Sequence, residues 1–354
     1  MTSLLRKLRG CMTNHKKTLL HNPRSKHPLR SVHIVGTGSY VPDRVLTNAD
    51  LEKMVDTTDE WITTRSGIKE RRIAPDYMCT SDMAVEAARK AMEQAGVRAE
   101  EIDLIICATI TPDMPFPATG CIIQNKLGAK RAAAFDVEAA CSGFIFGLEI
   151  GQQFITSGTY NTVLVVGAEK LSTIVDWQDR STCVLFGDGA GAAILRSRGE
   201  EHGILTTCMG ADGSQSDILL MPAGGSKFPA SKESVSAGMH YLKMSGKEVY
   251  KQAVIAMQTA AEDALQKCNL TIADIKCVIP HQANLRIIEA LADRLNAPME
   301  KVFLNLHRYG NMSAASVAVA LDEASREDRF KRGDLILLIV FGSGLTWASC
   351  IIQW

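Results

Sequence analysis

From Val32 to the end of the chain, short apolar runs alternate with amphipathic stretches. Leu104–Thr109 (LIICAT), Val163–Gly167 (VLVVG) and Leu335–Gly342 (LILLIVFG) are continuously apolar or nearly so, and of strand length. A strand that is apolar at every position buries both faces, so these runs predict sheets covered by helices on both sides. Asp82–Gly96 (DMAVEAARKAMEQAG) repeats its apolar residues at helical spacing, with Thr80 or Ser81 placed to cap it and Gly96 to stop it. Thr47 or Asn48 is placed to cap a helix over Asp50–Val55, and His33–Val41 reads as a strand and turn. The alternation is that of an α/β protein.

The pattern also repeats itself. Gly96–Thr109 (GVRAEEIDLIICAT) aligns without gaps on Asn269–Gln282 (NLTIADIKCVIPHQ). Val97 meets Leu270, Glu101 meets Asp274, Ile102 meets Ile275, Ile105 meets Val278 and Ile106 meets Ile279. Any two helix-to-strand junctions share part of this pattern; a duplication explains all of it. The expectation is two related αβ halves, 32–200 and 201–354, with the Gly-, Ser-, Asp- and Pro-containing stretch Gly210–Ser236 as a surface connection.

Composition narrows the class. A chain of 354 residues, 46% of them hydrophobic, can bury a large core. Lys plus Arg equals Asp plus Glu at 39 each, but residues 1–31 hold eight of the basic residues and none of the acidic ones. The body is therefore net acidic, which argues against a nucleic-acid partner. Residues 1–31 form a basic extension that lacks the apolar stretch of a secretory signal, and it reads either as an organelle transit peptide or as a disordered extension. The ten cysteines include no CxxC and no zinc-ligand spacing; several sit inside apolar runs, a reduced, cytoplasmic pattern with no metal site. The longest apolar runs are too short to span a membrane.

One cysteine stands apart. In FDVEAACSGF (Phe135–Phe144), a β-rich run gives way to small residues and then to a helical pattern, leaving Cys141 at the junction. Helix N-termini favour thiolate, and a thiolate can accept and release an acyl group, splitting one transfer into two easier steps. Alone, such a cysteine is more often structural, so its case rests on partners. His281 ends an apolar strand in VIPHQANLRII, where αβ enzymes place site residues, and Asn284 or Gln282 can cap the helix that follows. Asn311 lies in NLHRYGNMSAAS between Gly310 and a run of small residues, where a helix cap is the alternative reading. A neutral imidazole N–H and a carboxamide NH₂ are both donors suited to a thioester oxygen on which enolate charge develops. The backbone N–H of Cys141 and the glycine-rich loop FGSGLTW (Phe341–Trp347), through Ser343, can serve a second oxyanion. GDGAGAA (Gly187–Ala193) fits a dinucleotide fingerprint only on paper, since the β-like AAIL follows it instead of a helix.

Taken together, the Gly36–Ala74 stretch, FDVEAACSGF, DRSTCVLFGDGAGAAIL, VIPHQANLRII, LHRYGNMSAAS and FGSGLTWAS resemble the β-ketoacyl-acyl-carrier-protein synthase III family over nearly all of Ser31–Trp354. The resemblance implies an α/β, thiolase-like five-layer αβαβα fold of two duplicated halves. It also implies a homodimer and a catalytic triad of Cys141, His281 and Asn311, with Cys141 and Ser343 as oxyanion donors. A coenzyme A site at Thr57, Trp61, Arg65, Arg180, Tyr250, Ala283 and Asn284 carries over, as do carrier-protein docking residues Lys251 and Arg286. Phe116 matches an aromatic that reaches across the dimer into the partner's acyl pocket. The implied reaction joins acetyl-CoA to malonyl-acyl carrier protein, with acyl-CoA as substrate and no cofactor. Tyr250 where the family has Phe, Ser343 in place of a glycine, and Asp293 on the docking face depart from the pattern. The competing readings are a paralogue using longer or branched primers, an acyl- or carrier-protein-binding module, and a cysteine hydrolase.

Overall fold

The computed structural model describes residues 30–199 and 203–354. The basic extension, apart from Arg30 and Ser31, lies outside the described residues, as does the expected division near residue 200.

Two sheets form the frame. The first contains β1 (Val32–Tyr40), β2 (Leu104–Ala108), β3 (Ala133–Val137), β4 (Thr162–Lys170) and β5 (Asp188–Ser197), in the order β1-β5-β4-β2-β3. The second contains β6 (Gly203–Ala211), β7 (Cys277–Pro280), β8 (Leu335–Gly342) and β9 (Thr346–Gln353), in the order β7-β8-β9-β6. In the first sheet β5 is antiparallel to β1 and β4, and β4 is parallel to β2. In the second, β9 is antiparallel to β6 and β8, and β8 is parallel to β7. The two orders are the same. The place of β3 is taken in the second sheet by a single parallel bridge between Val278 and Val302.

Local structure repeats as well. Gly96 and Asn269 both end a helix in the left-handed conformation, at φ 63° and 53°. Each is followed by a short 3₁₀ turn, Ala99–Glu101 and Ile272–Asp274, and then by β2 or β7. The aligned sequences thus share their geometry residue by residue.

The apolar runs form strands because both faces are covered. Leu104 and Ile106 point between the sheets, Ile105 and Cys107 to the outer side. Ile336, Leu338 and Val340 likewise face the first sheet, while Leu337, Ile339 and Phe341 face outwards. Burying a side chain of this size is worth about 1.5–3 kcal/mol, so a strand gains from every residue rather than every second one. The longer helices are α1 (Asp59–Ser66), α2 (Thr80–Ala95), α3 (Thr119–Leu127), α4 (Gly143–Thr156), α5 (Gly246–Cys268), α6 (Leu285–Leu295) and α7 (Ala314–Arg326). α4 and α7 lie between the sheets, α2 covers the first sheet, and α5 with α6 covers the second. The result is an αβαβα stack.

Small residues let the central helices seat deeply. A Cβ on Gly143, Gly147 or Gly151 would lie 2.9, 2.7 or 2.8 Å from Ala108, Val165 or Leu195. The i, i+4, i+8 glycine stripe thus presses α4 onto the first sheet. Ala314 of α7 stands 3.6 Å from the same point on Gly143, so the two central helices start side by side. This abutment brings together chain segments that are far apart in sequence.

Three local expectations are corrected. Cys79, not Thr80 or Ser81, precedes α2, because the Asp82 carboxylate takes the Cys79 N–H at 2.8 Å. The hydroxyls of Thr80 and Ser81 are used elsewhere, on Thr111 O at 2.6 Å and on Asp113 at 2.5 Å. Thr47 does cap a helix, but only over Asn48–Leu51. Gly210–Ser236 is more than a surface connection: Gly210 and Ala211 finish β6, and Leu219–Leu220 pairs with Lys243–Met244.

Candidate active site

Cys141 occupies a 3₁₀ turn, Ala140–Ser142, that leads into α4. Ala140 before it holds φ at 46°, a strained value for a residue with a Cβ. The turn is fastened to the β8–β9 connection, since Thr346 Oγ1 donates to Ala139 O at 3.0 Å and lies 3.1 Å from Ser142 Oγ. A Cβ on Gly342 would stand 2.7 Å from the Cys141 nitrogen, so only glycine lets this loop close on the cysteine backbone. Ser343 Oγ donates to Leu219 O and ties the same loop to the opposite wall.

His281 follows β7 and donates its N–H to Ile339 O at 2.7 Å. Gln282 beside it is fully buried and locks the turn. Its Nε2 reaches Pro280 O and Phe303 O, while its Oε1 accepts from Asn305 N and Leu306 N. Asn284 is the helix cap, accepting from Arg286 N at 2.9 Å. Asn311 is clamped through its backbone: its N–H donates to Leu185 O at 2.8 Å and its O accepts from Gly187 N at 3.0 Å. Its side-chain oxygen accepts from Ser313 N at 2.8 Å, which commits that end of the amide and leaves the NH₂ as the free end. Ser313 holds φ at 47°, a second strained residue at the junction of α4 and α7.

All three residues line one cavity of about 1120 Å³, together with Ser313, Gly342 and Ser343. Cys141, His281 and Asn311 are buried at 7%, 5% and 8% exposure. Trp61, Arg65, Tyr250, Ala283, Asn284 and Arg286 line the same cavity. The guanidinium groups of Arg65 and Arg180 lie 4.9 and 5.4 Å from the Trp61 ring centre. Asn284 Nδ2 donates to Arg65 O at 3.1 Å, linking α6 to α1. Four expected residues do not line the cavity: Thr57, Arg180, Lys251 and Phe116. Arg180 joins it through Trp61, Lys251 follows the lining residue Tyr250, and Thr57 holds a buried hydroxyl without a hydrogen-bond partner. Phe116 is 84% exposed, though Pro115 beside it reaches the cavity.

The sequence reading missed Lys247, Leu219, Met221 and Ser313, which also line the cavity. Lys247 stands four residues before Lys251 on α5, a helical spacing that was there to be seen. The reading also missed Glu169, fully buried on β4, which accepts from Thr111 Oγ1 at 2.5 Å, Thr109 Oγ1 at 3.2 Å and the N–H groups of Ile110 and Thr111.

Burial sets the electrostatics. It pushes the Cys141 thiol up to about 12; nearby Ser313 and the cysteine's own N–H oppose the rise, and Glu169 adds to it. The expected preference for thiolate is therefore corrected: α4 begins only at Gly143, and desolvation of Cys141 outweighs the helix end. Burial pushes Glu169 up to about 7 against its hydrogen-bond donors, and pushes His281 down to about 4. At neutral pH the cysteine and histidine that line this cavity are thus both uncharged. His281 Nδ1 is buried without a hydrogen-bond partner.

An αβαβα stack with a buried cysteine at the start of one central helix, lining one cavity with a neutral histidine and an asparagine, defines a thiolase-like acyltransferase. Residues 135–213 match the model for 3-oxoacyl-[acyl-carrier-protein] synthase III, and residues 265–354 match that for its C-terminal part. A β-ketoacyl-[acyl-carrier-protein] synthase III of Caldanaerobacter subterraneus is 58% identical over 321 residues, covering 91% of this chain and 97% of that protein. One from Symbiobacterium thermophilum is 55% identical over 326 residues, covering 92% and 99%. The crystal structure of 3-oxoacyl-[acyl-carrier-protein] synthase III from Aquifex aeolicus matches with a TM-score of 0.85 at 50% identity, over 92% of this chain and 100% of that one. The chain belongs to the β-ketoacyl-acyl-carrier-protein synthase III family.

Proposed function

We propose that the chain catalyses the first condensation of fatty acid synthesis, joining acetyl-CoA to malonyl-acyl carrier protein to give 3-oxobutanoyl-acyl carrier protein, CoA and CO₂. The observation that carries this reading is the convergence of Cys141, His281 and Asn311 in one cavity that also holds Trp61 and Arg65.

The cycle has two stages. Cys141 Sγ attacks the acetyl thioester carbonyl, its proton passes to His281, and the backbone N–H groups of Cys141 and Ser343 hold the oxyanion. The carbon–sulfur bond to CoA breaks, and CoA leaves as the thiol with the proton His281 held. Malonyl-acyl carrier protein then enters. His281 and Asn311 donate to its thioester oxygen while the bond to the carboxylate breaks and CO₂ departs. The resulting carbanion attacks the acetyl-Cys141 carbonyl, the bond from that carbonyl carbon to Sγ breaks, and the departing thiolate takes one proton from solvent. A neutral histidine suits both stages, as base in the first and as N–H donor in the second.

Thr57, Trp61, Arg65, Arg180, Tyr250, Ala283 and Asn284 take the coenzyme A moiety in this reading, with Trp61 against the adenine and the arginines against phosphates. Lys251, Arg286 and Lys247 form the basic face for the acidic carrier protein. The chain needs no cofactor beyond its substrates and works in the cytoplasm. Among the described residues no helix is long and apolar enough to cross a membrane. The body divides into 32–200 and 201–354 as two copies of one αβ unit, a division supported by the shared strand order. A homodimer is supported by the open edge of β3, which among the described residues pairs only with β2, and by exposed Phe116 and Met114. Sedimentation as a species of twice the chain mass is the expected result; a monomer at micromolar concentration would remove the dimer from this account.

The reaction is tested by brief incubation with acetyl-CoA followed by intact-protein and peptide mass spectrometry. One acetyl group is expected on the Cys141 peptide, chased off by malonyl-acyl carrier protein. An adduct only with longer or branched acyl-CoA would give the primer assignment to the paralogue reading, and no adduct with any acyl-CoA would end the catalytic one.

A further inference from the structure

Arg71 lies in a short strand, Glu70–Arg72, paired with Val45–Thr47, and it is fully buried. Nη1 donates to Leu46 O at 3.1 Å and to Asn48 Oδ1 at 2.9 Å, and Nη2 donates to Val184 O at 2.6 Å. Nε is buried without a hydrogen-bond partner, and no carboxylate forms an ion pair with the group among the described residues. Burial lowers its pKa only to about 10, so it stays a cation. A buried cation held only by neutral acceptors costs more than an apolar residue of the same size. Core filling alone does not account for it.

Its position relative to the active site does. Val184 and Leu185 present consecutive carbonyls: the first accepts from Arg71, and the second accepts the Asn311 N–H. Gly187 then donates its N–H to Asn311 O, and Phe186 bridges to Asn311 as in a parallel strand. The Arg71 side chain is wedged against both ends of this clamp. Its Cβ lies 3.1 Å from where a Cβ on Gly187 would stand and 3.4 Å from the same point on Gly310. The planar guanidinium bridges two segments, Leu46–Asn48 and Val184, which a single ammonium cannot do with the same directions.

We propose that Arg71 is the positioning residue for Asn311, fixing the Val184–Gly187 segment whose backbone sets where the Asn311 amide points. This rests on the reading of Asn311 as a donor in decarboxylation. Cys141 is fastened separately, through Thr346 and Gly342. Arg71 therefore acts on one half-reaction and not on the other.

The test measures both half-reactions on the full chain: acetylation of Cys141 by acetyl-CoA, and CO₂ release from malonyl-acyl carrier protein without acyl-CoA. In Arg71→Lys, CO₂ release is expected to fall about 10²-fold, the loss typical of a reacting group displaced by about 1 Å, while acetylation stays within about threefold. Asn48→Ala, which removes one of the three acceptors and keeps the arginine, is expected to shift the same ratio in the same direction by about three- to tenfold. It decides the matter if Arg71→Lys does not fold. A ratio that stays at the wild-type value, or half-reactions that fall together in step with thermal stability, overturns the proposal. Wild-type protein that takes no acetyl group shows instead that the functional reading itself is wrong.

Discussion

Cys141→Ala is expected to lose acetyl transfer by about four orders of magnitude or more while keeping its fold, because Cys141 is the only cysteine among the described residues that line the cavity. The size follows from covalent catalysis, since removing the nucleophile removes the intermediate and not merely one contact. The fold should survive because Cys141 borders the cavity, and because a thiol pushed up to about 12 by burial contributes no charge at neutral pH. Cys141→Ser keeps the shape but offers a far weaker nucleophile, so it should also fail to accumulate an adduct. The check is peptide mass spectrometry over all ten cysteines. Cys79 and Cys121 are exposed and serve as internal controls for adventitious acylation. An acetyl group that still appears and still chases in Cys141→Ala would place the nucleophile elsewhere. The same variant should keep releasing CO₂ from malonyl-acyl carrier protein, since His281 and Asn311 are untouched.

Patterns confined to one segment were legible in the sequence. The continuous apolar runs of Leu104–Thr109 and Leu335–Gly342 announced strands buried on two faces. The aligned segments at Gly96 and Asn269 share a helix end, a 3₁₀ turn and a strand start. The small residues around Cys141 and Asn311 were visible too, and they proved to be where the two central helices abut. Cap choice was not legible at α2, because Thr80 and Ser81 are drawn off by Thr111 and Asp113, partners some thirty residues away. Glu169, Ser313 and Arg71 were missed for a related reason. Each looks ordinary in its own segment and acquires a role only from groups brought to it by the fold. The Cys141 expectation failed because a sequence shows a helix start but not the depth of burial, and burial decided the thiol.

His281 and Asn311 should separate from Cys141 in the second half-reaction. Asn311→Ala is expected to lower CO₂ release by about 10²- to 10³-fold, the usual loss for one oxyanion donor, with Cys141 acetylation within about threefold of wild type. His281→Ala should lower CO₂ release similarly and also slow acetylation by about 10²-fold, because the same imidazole takes the thiol proton. The pH dependence follows from burial. An ordinary histidine charges near 6.5, whereas His281 is held down to about 4. CO₂ release should therefore not fall between about pH 7.5 and about pH 5.5, a window in which an unperturbed imidazole would lose most of its neutral form. A loss with midpoint near 6.5 in that window, absent from His281→Ala background activity, would show that the histidine is solvated and the site is not as described. Stability carries the opposite mark. Between pH 6.5 and about 4 the folded chain binds fewer protons at His281 than the unfolded chain, so this group costs stability as pH falls through that range, on the order of 3 kcal/mol at the bottom. Glu169, raised to about 7, works the other way, its contribution present below 4.5 and lost as pH rises through 7. His281→Ala should therefore gain stability relative to wild type as pH falls from 6.5 to about 4, leaving the opposite slope set by Glu169, whereas Asn311→Ala should leave the shape of the profile unchanged. That contrast identifies the buried imidazole, and not the cavity as a whole, as the group that titrates.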